Sequence, residues 1–275
     1  MEDLDLIVEQ DEDEAAAAQI FVDGAIGPNE YRFLLDTAAA RSGVMYDDYT
    51  SQLRSAGMSG SSGLFATSSQ DLVTVPNIRV GPISHSDFTL VRAPNHFSGA
   101  SNLIGMDLLK DWCCHFHFDE NQVSITSNRE PTADLAYQEL VFDSTFHPYI
   151  DVHFDASTAK AVWDTGASLT IADMALINSQ PSCFQEAGEA TGTDSTGAEM
   201  RTPMFIVSKM SIDNHVLPPH RIAGVDLSHV NSTIEVRMDM LLGYSTLSKA
   251  NWLFDFPRKR WAITKTITSP TISSR

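Results

Sequence analysis

Two carboxylates in this sequence occupy the same kind of position, directly after an apolar run and directly before a hydroxyl group. Asp36-Thr37 follows Phe33-Leu34-Leu35, and Asp164-Thr165 follows Ala161-Val162-Trp163. Two carboxyl groups held side by side cannot both ionise, so such a pair shares one proton. One member can accept a proton from water while the other donates a proton to a carbonyl oxygen. These residues therefore indicate acid–base chemistry that could hydrolyse a peptide bond without a covalent intermediate.

Both Asp-Thr pairs lie in an internal repeat, and the repeat indicates how the two carboxylates could meet. A shift of 128 residues aligns Phe21–Asp36 with Tyr149–Asp164 without a gap, and a shift of 138 aligns Leu103–Ile125 with Leu241–Ile263. The larger second shift means ten extra residues in the second copy, which we expect around Pro218–Leu227. Two copies related by a pseudo-twofold axis would set the two carboxylates side by side.

The repeat also predicts the domain organisation and the fold class. The chain divides into five predicted segments: an acidic tail at 1–18, an N-terminal lobe at 19–127, a linker at 128–146, a C-terminal lobe at 147–265 and a second tail at 266–275. Short β-branched and aromatic runs bounded by turn residues are typical of strands. Helical spacing of leucines occurs only after Gly105 and Gly243. We expect an all-β fold of two pseudo-twofold-related lobes, each with one short helix.

The second Asp-Thr pair continues as Asp-Thr-Gly-Ala-Ser, which resembles the signature of the aspartic proteases. A second element of that family, two apolar residues and a glycine before a short helix, is matched by Leu103-Ile104-Gly105 and by Leu241-Leu242-Gly243. The first match and the lobe length look especially like retropepsin domains. The chain therefore resembles two retropepsin-like units fused into one pepsin-like bilobal molecule.

This resemblance implies an aspartic-type endopeptidase in which Asp36 and Asp164 form the dyad and activate one water against an extended peptide between the lobes. Thr37 and Thr165 would form an interlocked hydroxyl pair beneath the dyad. The resemblance implies no cofactor and no metal ion. Three further positions would support the carboxylates: Ala38, Gly166 and Ser168.

The two lobes differ at the supporting positions. The first lobe has Ala38 where the second has Gly166, and an alanine fits there only if its φ stays negative. Ser168 can donate a hydrogen bond to Asp164, whereas Ala40 offers none to Asp36. Because fewer hydrogen bonds to the charged form favour protonation, we expect Asp36 to hold the shared proton.

Each Asp-Thr pair is followed by a stretch of small residues, at 59–65 and at 191–197. We expect these stretches to be the tips of flexible flaps over the cleft, with ordinary surface hairpins as the alternative. The candidate flap residues are Gly60, Gly63, Phe65, Gly192 and Gly197.

Composition and charge exclude several classes of partner. The formal net charge is −18, which argues against nucleic acid and against an anionic membrane surface. The three cysteines, Cys113, Cys114 and Cys183, form no disulfide framework, and no secretory signal opens the chain, so we expect a cytoplasmic protein. His115 and His117 share a strand face, but the aligned segment at 250–255 carries no metal ligands, so we expect strand packing there.

Because both carboxylates belong to one chain, no dimer is needed to assemble the site. Two other functions use the same cleft. The dyad could serve a non-proteolytic enzyme that protonates or deprotonates a small molecule, as a cyclase or isomerase does. The cleft could also belong to a non-catalytic peptide-binding module.

Overall fold

A computed structural model describes residues 2–62, 67–93, 101–127, 135–155, 157–193 and 199–267. Three candidate flap residues, Gly63, Phe65 and Gly197, lie outside these ranges. The architecture is mainly β, as the residue pattern predicts. No helix within the described ranges is long and apolar enough to span a membrane.

Within the described ranges, the first half of the chain forms eleven strands and two short helices. These are β1 (Glu2–Asp5), β2 (Ile7–Gln10), β3 (Ala18–Ile26), β4 (Asn29–Leu35), β5 (Gly43–Val44), a 3-10 helix (Thr50–Gln52), β6 (Ser55–Ser62), β7 (Thr67–Val80), β8 (Ile83–Arg92), β9 (Leu103–Ile104), α1 (Met106–Leu109), β10 (Cys113–His117) and β11 (Gln122–Thr126).

The second half repeats this order with additional elements. These are β12 (Gln138–Glu139), β13 (Val141–Phe142), β14 (Pro148–Phe154), β15 (Ser157–Trp163), β16 (Ile171–Asp173), α2 (Met174–Ser179), β17 (Phe184–Thr193), β18 (Glu199–Val207), β19 (Ser211–Ile212), β20 (His215–Val216), β21 (His220–Val225), α3 (Ser228–Asn231), β22 (Met240–Leu242), α4 (Tyr244–Leu247), β23 (Ala250–Asp255) and β24 (Arg260–Thr266).

One antiparallel sheet of six strands joins the two lobes, in the order β1-β11-β10-β23-β24-β12. At its centre β10 pairs with β23, and His115 lies opposite Leu253. These two residues occupy equivalent positions in the repeat, because 253 exceeds 115 by the shift of 138. The pseudo-twofold axis therefore passes through this residue pair, between the two central strands.

Each lobe inserts a short strand beside the strand that leads to its Asp-Thr pair. In the first lobe β9 runs parallel to β4 and antiparallel to β5. In the second lobe β22 runs parallel to β15 and antiparallel to β16. The inserted strands are the two apolar-apolar elements, so the repeat places both of its motifs at the same point of each lobe.

Aromatic side chains fill the core between the lobes and the shared sheet. Trp163, the last residue of β15, is fully buried. Its ring centroid lies 4.3 Å from that of Phe254 and 4.8 Å from that of Phe116. Such ring pairs add about 0.5–1.5 kcal/mol each beyond the apolar area they bury. This packing anchors the strand that delivers Asp164.

The acidic N-terminal segment is part of the fold rather than a solvated tail. Strand β1 pairs with β11 at the edge of the shared sheet, and β2 pairs with β3. Leu6, between the two strands, is buried. Beyond the strands, Glu14 lies 2.6 Å from Arg221 of the second lobe. The acids of the two strands are exposed while Leu6 is buried, and a charge count alone does not register that alternation.

The second lobe departs from the predicted plan in two further ways. Twelve residues, 208–219, join β18 to β21, where two residues, 81–82, join β7 to β8. The segment 208–219 contains the β19–β20 hairpin. The ten extra residues of the second copy therefore lie mainly before Pro218–Leu227, where we expected them. The lobe also contains α2 and α3 in addition to the expected α4. Helix α2 is N-capped by Asp173, whose carboxylate accepts a hydrogen bond from the Ala175 N–H.

Candidate active site

The two aspartates stand at the ends of equivalent strands and are held by equivalent backbone bonds. Asp36 follows β4, and its N–H donates to the carbonyl oxygen of Ile104 at 2.9 Å. Asp164 follows β15, and its N–H donates to the carbonyl oxygen of Leu242 at 3.0 Å. Each carboxylate is therefore positioned by the inserted strand of its own lobe.

A reciprocal pair of hydrogen bonds ties the lobes together beneath the aspartates. The Thr37 N–H donates to Oγ1 of Thr165, and the Thr165 N–H donates to Oγ1 of Thr37, both at 3.1 Å. The Thr37 hydroxyl donates to the carbonyl oxygen of Trp163 at 2.7 Å. Both threonines are buried. The hydroxyls brace one lobe against the other, which is the arrangement that the sequence resemblance implies for them.

The two lobes meet so closely at the aspartates that one of the adjoining residues must be a glycine. A Cβ placed on Gly166 would lie 2.5 Å from Cγ of Asp36, well inside carbon–carbon contact distance. The Asp36 carboxyl therefore lies directly against the Asp-Thr-Gly turn of the other lobe. This contact brings the first-lobe carboxyl to the second-lobe site.

Each carboxylate accepts two backbone hydrogen bonds. Oδ1 of Asp36 accepts from the N–H groups of Ala38 at 2.9 Å and Ala39 at 2.8 Å. Oδ1 of Asp164 accepts from the N–H groups that follow it in the same way, Gly166 at 2.8 Å and Ala167 at 3.3 Å. Small residues at these places allow the chain to fold back on the carboxylates.

Burial raises the pKa of both carboxyls above the ordinary range of aspartate. For Asp36, the two backbone bonds and the charge of His147 counter this rise. For Asp164, the neighbouring Asp36 charge adds to it, and the pKa rises well above its ordinary value. The two groups thus behave as a pair that shares one proton.

The premise behind the prediction that Asp36 holds the shared proton is not met. The prediction relied on a hydrogen bond from Ser168 to Asp164, and within the described ranges the Ser168 hydroxyl makes no such bond. Besides the N–H of Ala38 or Gly166, each carboxylate accepts from the N–H of the third residue after it, Ala39 or Ala167. The two lobes therefore support their aspartates with equivalent backbone hydrogen bonds.

Ala38 is accommodated in the first-lobe turn as the sequence argument requires. Its φ is not among the positive values found for non-glycine residues. Its side chain packs on a small apolar cluster of the second lobe that includes Tyr149, Val162 and Leu227. The alanine thus adds an apolar contact across the lobe interface.

The glycine that ends each apolar-apolar element allows a close backbone approach behind the dyad. The Met106 N–H donates to the carbonyl oxygen of Ala39 at 2.8 Å, and the Tyr244 N–H donates to that of Ala167 at 2.9 Å. A Cβ on Gly105 would lie 2.7 Å from the Ala39 oxygen. The same element therefore locks the loop that carries the backbone donors.

Side chains that the sequence motifs did not identify reinforce these loops. In the first lobe, Ser42 donates from its hydroxyl to Asp107 at 2.6 Å and accepts from the Gly105 N–H at 2.9 Å. Thr170 takes the equivalent place in the second lobe, accepting from the Gly243 N–H at 3.0 Å. Both residues stand six positions after their aspartates, and this shared spacing was the available signal.

The second-lobe network continues to a buried histidine. Oγ1 of Thr170 lies 2.6 Å from Oγ1 of Thr246, which lies 2.8 Å from Nε2 of His220. Nδ1 of His220 lies 2.8 Å from the carbonyl oxygen of Pro218. Burial lowers the pKa of His220 to about 4, so the ring is neutral at neutral pH.

Two long hairpins, β6–β7 and β17–β18, follow the dyad in the two lobes. Gly60 lies in β6 opposite Ser69, and Gly192 lies in β17 opposite Met200. Both of these candidate flap residues therefore belong to hairpin arms. The hairpins occupy equivalent places in the two lobes, and their role as flaps stays a prediction.

The histidines of β10 belong to the shared sheet and not to the dyad. The His115 and His117 rings lie 3.8 Å apart between centroids, and Nε2 of His115 lies 2.9 Å from Oγ1 of Thr264. Across the described ranges, no group of three or more His, Cys, Asp or Glu side chains could hold a metal ion. Cys113, Cys114 and Cys183 are all buried free thiols.

Comparison with known proteins bears on the fold. No family model matches the sequence, and no curated protein matches it. Among solved structures, the aspartic proteinase from Irpex lacteus is similar over 99% of this chain and 99% of its own, with a TM-score of 0.58 and 13% identity. An identity this low shows the fold alone. The chain has the bilobal, mainly β fold of an aspartic proteinase.

Proposed function

We propose that the chain is an aspartic-type endopeptidase that uses Asp36 and Asp164 to activate one water molecule. The observation that carries the proposal is the approach of the two Asp-Thr turns. The Asp36 carboxyl lies against Gly166, each carboxylate accepts two backbone N–H bonds, and the threonine pair locks the arrangement. Buried carboxyl groups cost stability. A structural role therefore does not explain why the fold holds these two carboxyls together, whereas a catalytic role does.

The proposed reaction needs only the proton that the pair shares. The ionised carboxylate takes a proton from the water, whose oxygen attacks the peptide carbonyl. The protonated carboxyl donates its proton to the carbonyl oxygen, giving a tetrahedral diol. The first carboxyl then gives its proton to the leaving nitrogen as the C–N bond breaks, and the second takes a proton from a hydroxyl of the diol, which leaves one proton on the pair. Positioned acid–base groups of this kind contribute about 10²–10⁴-fold each to the rate.

The two hairpins supply a reason to favour an extended peptide as substrate. Met58 on β6 and Met200 on β18 are 65% and 45% exposed, although methionine is an apolar side chain. Exposed, flexible apolar side chains on both arms suit contacts with varied apolar peptide side chains. The lobes would then hold the peptide between them, and retropepsin-like symmetry would provide one hairpin on each side.

The test is digestion of a denatured protein and a mixed peptide library at mildly acid pH. The wild-type chain should cleave internal bonds, and Asp36→Asn and Asp164→Asn should each lower kcat/KM by at least about 100-fold. Asp155→Asn is a matched control, because Asp155 is exposed and, among the described residues, forms an ion pair with Lys209 on the surface. Equal cleavage by the dyad variants would contradict the proposal. Turnover of a small carbonyl compound without peptide cleavage would favour the non-proteolytic use of the dyad.

A further inference from the structure

A surface pocket of about 290 Å³ lies outside the dyad and outside the two long hairpins. Its walls come from three parts of the chain: the residues after α1, the segment from β13 to the start of β14, and the turn between β23 and β24. This volume is at the small end of ligand pockets, so it suits a ligand of about the size of one amino acid. The proposed peptidase reaction does not use this pocket.

Three phenylalanine rings form the apolar part of the pocket. Phe256 is buried, Phe142 is half-buried, and Phe146 is 41% exposed, so the rings line the pocket from its interior to its rim. The Phe142 ring centroid lies 6.2 Å from that of Phe146 and 6.2 Å from that of Phe256. Rings at such separations leave their faces and edges available to a further aromatic or branched aliphatic group.

Two lysines that lack a carboxylate partner border the same pocket. Among the described residues, neither Lys110 nor Lys259 forms an ion pair, and the Lys110 ammonium lies 4.9 Å from the centroid of the Phe146 ring. Three other lysines each pair with an aspartate: Lys160, Lys209 and Lys265.

The local charge of the pocket is opposite to that of the whole chain. Asp111 also lines the pocket and opposes an anion, but two lysines against one aspartate leave a net charge of +1. The chain as a whole carries a formal charge of −18. Unpaired ammonium groups next to apolar rings, on an otherwise acidic protein, favour a ligand that is both anionic and apolar.

The backbone holds the Phe146 ring at the rim of the pocket at a conformational cost. Phe146 has a φ of 65°, which a bulky side chain rarely adopts. The turn is fixed by the Asp143 carboxylate, which accepts hydrogen bonds from the N–H groups of Thr145 at 2.9 Å and His147 at 3.0 Å. Strain of this kind is often retained at ligand sites. A ligand that covers the exposed ring would explain why the fold keeps it there.

We propose that this pocket binds a small amphipathic anion, in which a carboxylate is attached to an aromatic or branched aliphatic group. The ammonium groups of Lys110 and Lys259 recognise the carboxylate, and the three phenylalanine rings contact the apolar group. Two sources offer this chemistry: a free carboxylic acid and the C-terminal residue of a peptide. The inference concerns binding alone, so it stands or falls separately from the proposed peptidase activity.

The first test is calorimetric titration of the full chain with 3-phenylpropanoate at neutral pH and low salt. We expect a dissociation constant of about 0.1–1 mM for a ligand of this size. The uncharged 3-phenylpropanamide should bind at least about 5-fold more weakly. Lys110→Gln and Lys259→Gln should each weaken binding of the acid about 2–5-fold, as expected for exposed ion pairs. Lys209→Gln is the matched control, because Lys209 pairs with Asp155 at the surface, and it should bind as the wild type does.

Phe146→Asn tests the apolar part of the pocket without straining the turn, because asparagine tolerates a positive φ. The variant should fold and should bind 3-phenylpropanoate about 3–10-fold more weakly. A tripeptide that ends in phenylalanine, with a free carboxylate or a C-terminal amide, separates the two sources. Tighter binding of the free-carboxylate peptide than of 3-phenylpropanoate would identify a peptide terminus, and weaker binding would identify a free acid.

Three results would overturn the inference. The first is an affinity for the acid that neither the lysine variants nor Phe146→Asn changes, or no binding at all. The second is loss of binding in Asp36→Asn, which would place the acid in the cleft between the lobes. The third is a dimer in sedimentation that Phe146→Asn dissociates, which would show that a second copy of the chain covers the pocket.

Discussion

Replacing His220 by glutamine should remove a specific part of the pH dependence of stability. Nδ1 of His220 lies against the carbonyl oxygen of Pro218, which can only accept, so Nδ1 carries the proton. Nε2 then accepts from the Thr246 hydroxyl, which in turn accepts from Thr170. The neutral ring thus ends a directional chain of hydrogen bonds that reaches Gly243 behind the dyad.

The size of the effect follows from the pKa of His220. Burial lowers it from 6.5 to about 4. Below pH 6.5 the unfolded chain binds a proton at this residue while the folded chain does not, until about pH 4. The contribution of neutral His220 to the free energy of unfolding is therefore complete above pH 6.5 and is lost as the pH falls toward 4. Between pH 7 and pH 4.5 the loss is about 2 kcal/mol.

Urea unfolding of the wild-type chain, His220→Gln and the control variant His153→Gln at these two pH values measures the effect. In His220→Gln the free energy of unfolding should depend on pH by about 2 kcal/mol less than in the wild type. The control should behave as the wild type does. An undiminished pH dependence in His220→Gln would refute the assignment of a buried neutral ring.

Four further results follow from the described contacts. Thr37→Ala and Thr165→Ala should each lower the free energy of unfolding by about 1–3 kcal/mol in urea titrations, with serine variants less affected; unchanged stability would exclude a lobe-bracing role. Gly57 and Gly188 have φ values of 134° and 88° at bulges in the two hairpins. Alanine at either position would strain the hairpin arm, so peptide turnover should slow. Stopped-flow measurement of peptide binding should show a matching decrease in the binding rate. Deleting residues 2–10 should lower the melting temperature by several degrees, since two strand pairings and buried Leu6 are lost. Activity per molecule should stay constant on dilution, with sedimentation showing that a monomer is active; a parallel loss of dimer and activity would contradict this.

The features that could be predicted from the sequence are those that occur in both copies of the internal repeat. The apolar run before Asp36 and Asp164 and the glycine of each apolar-apolar element recur with nearly constant spacing, and each has a local physical reason. The glycines are needed for close backbone approach, because a Cβ on Gly105 would lie only 2.7 Å from the Ala39 carbonyl oxygen. Repetition distinguishes such motifs from chance occurrences, so the lobes and the meeting of the aspartates could be predicted.

The features that the sequence did not predict depend on one lobe alone or on contacts distant in the chain. The charge of the first eighteen residues hid the inward-facing Leu6 and the pairing of β1 with β11. The predicted hydrogen bond from Ser168 to Asp164 does not form, because the turn brings the N–H of Ala167, one residue earlier, to the Asp164 carboxylate. His220 carries no motif, and only the fold shows that Thr246 and the Pro218 carbonyl oxygen lie beside it.

The most direct test of the shared-proton dyad is calorimetric titration with a statine-type peptide mimic, whose hydroxyl would sit between Asp36 and Asp164. The account predicts tight binding to the wild-type chain near pH 5, with proton exchange that varies across the titration of the dyad. Asp36→Asn and Asp164→Asn should each weaken binding by about 100-fold or more, because removing one partner leaves a buried polar group unsatisfied. Equal affinity for the wild-type chain and both variants would show that the two carboxyls do not act together on a bound oxygen.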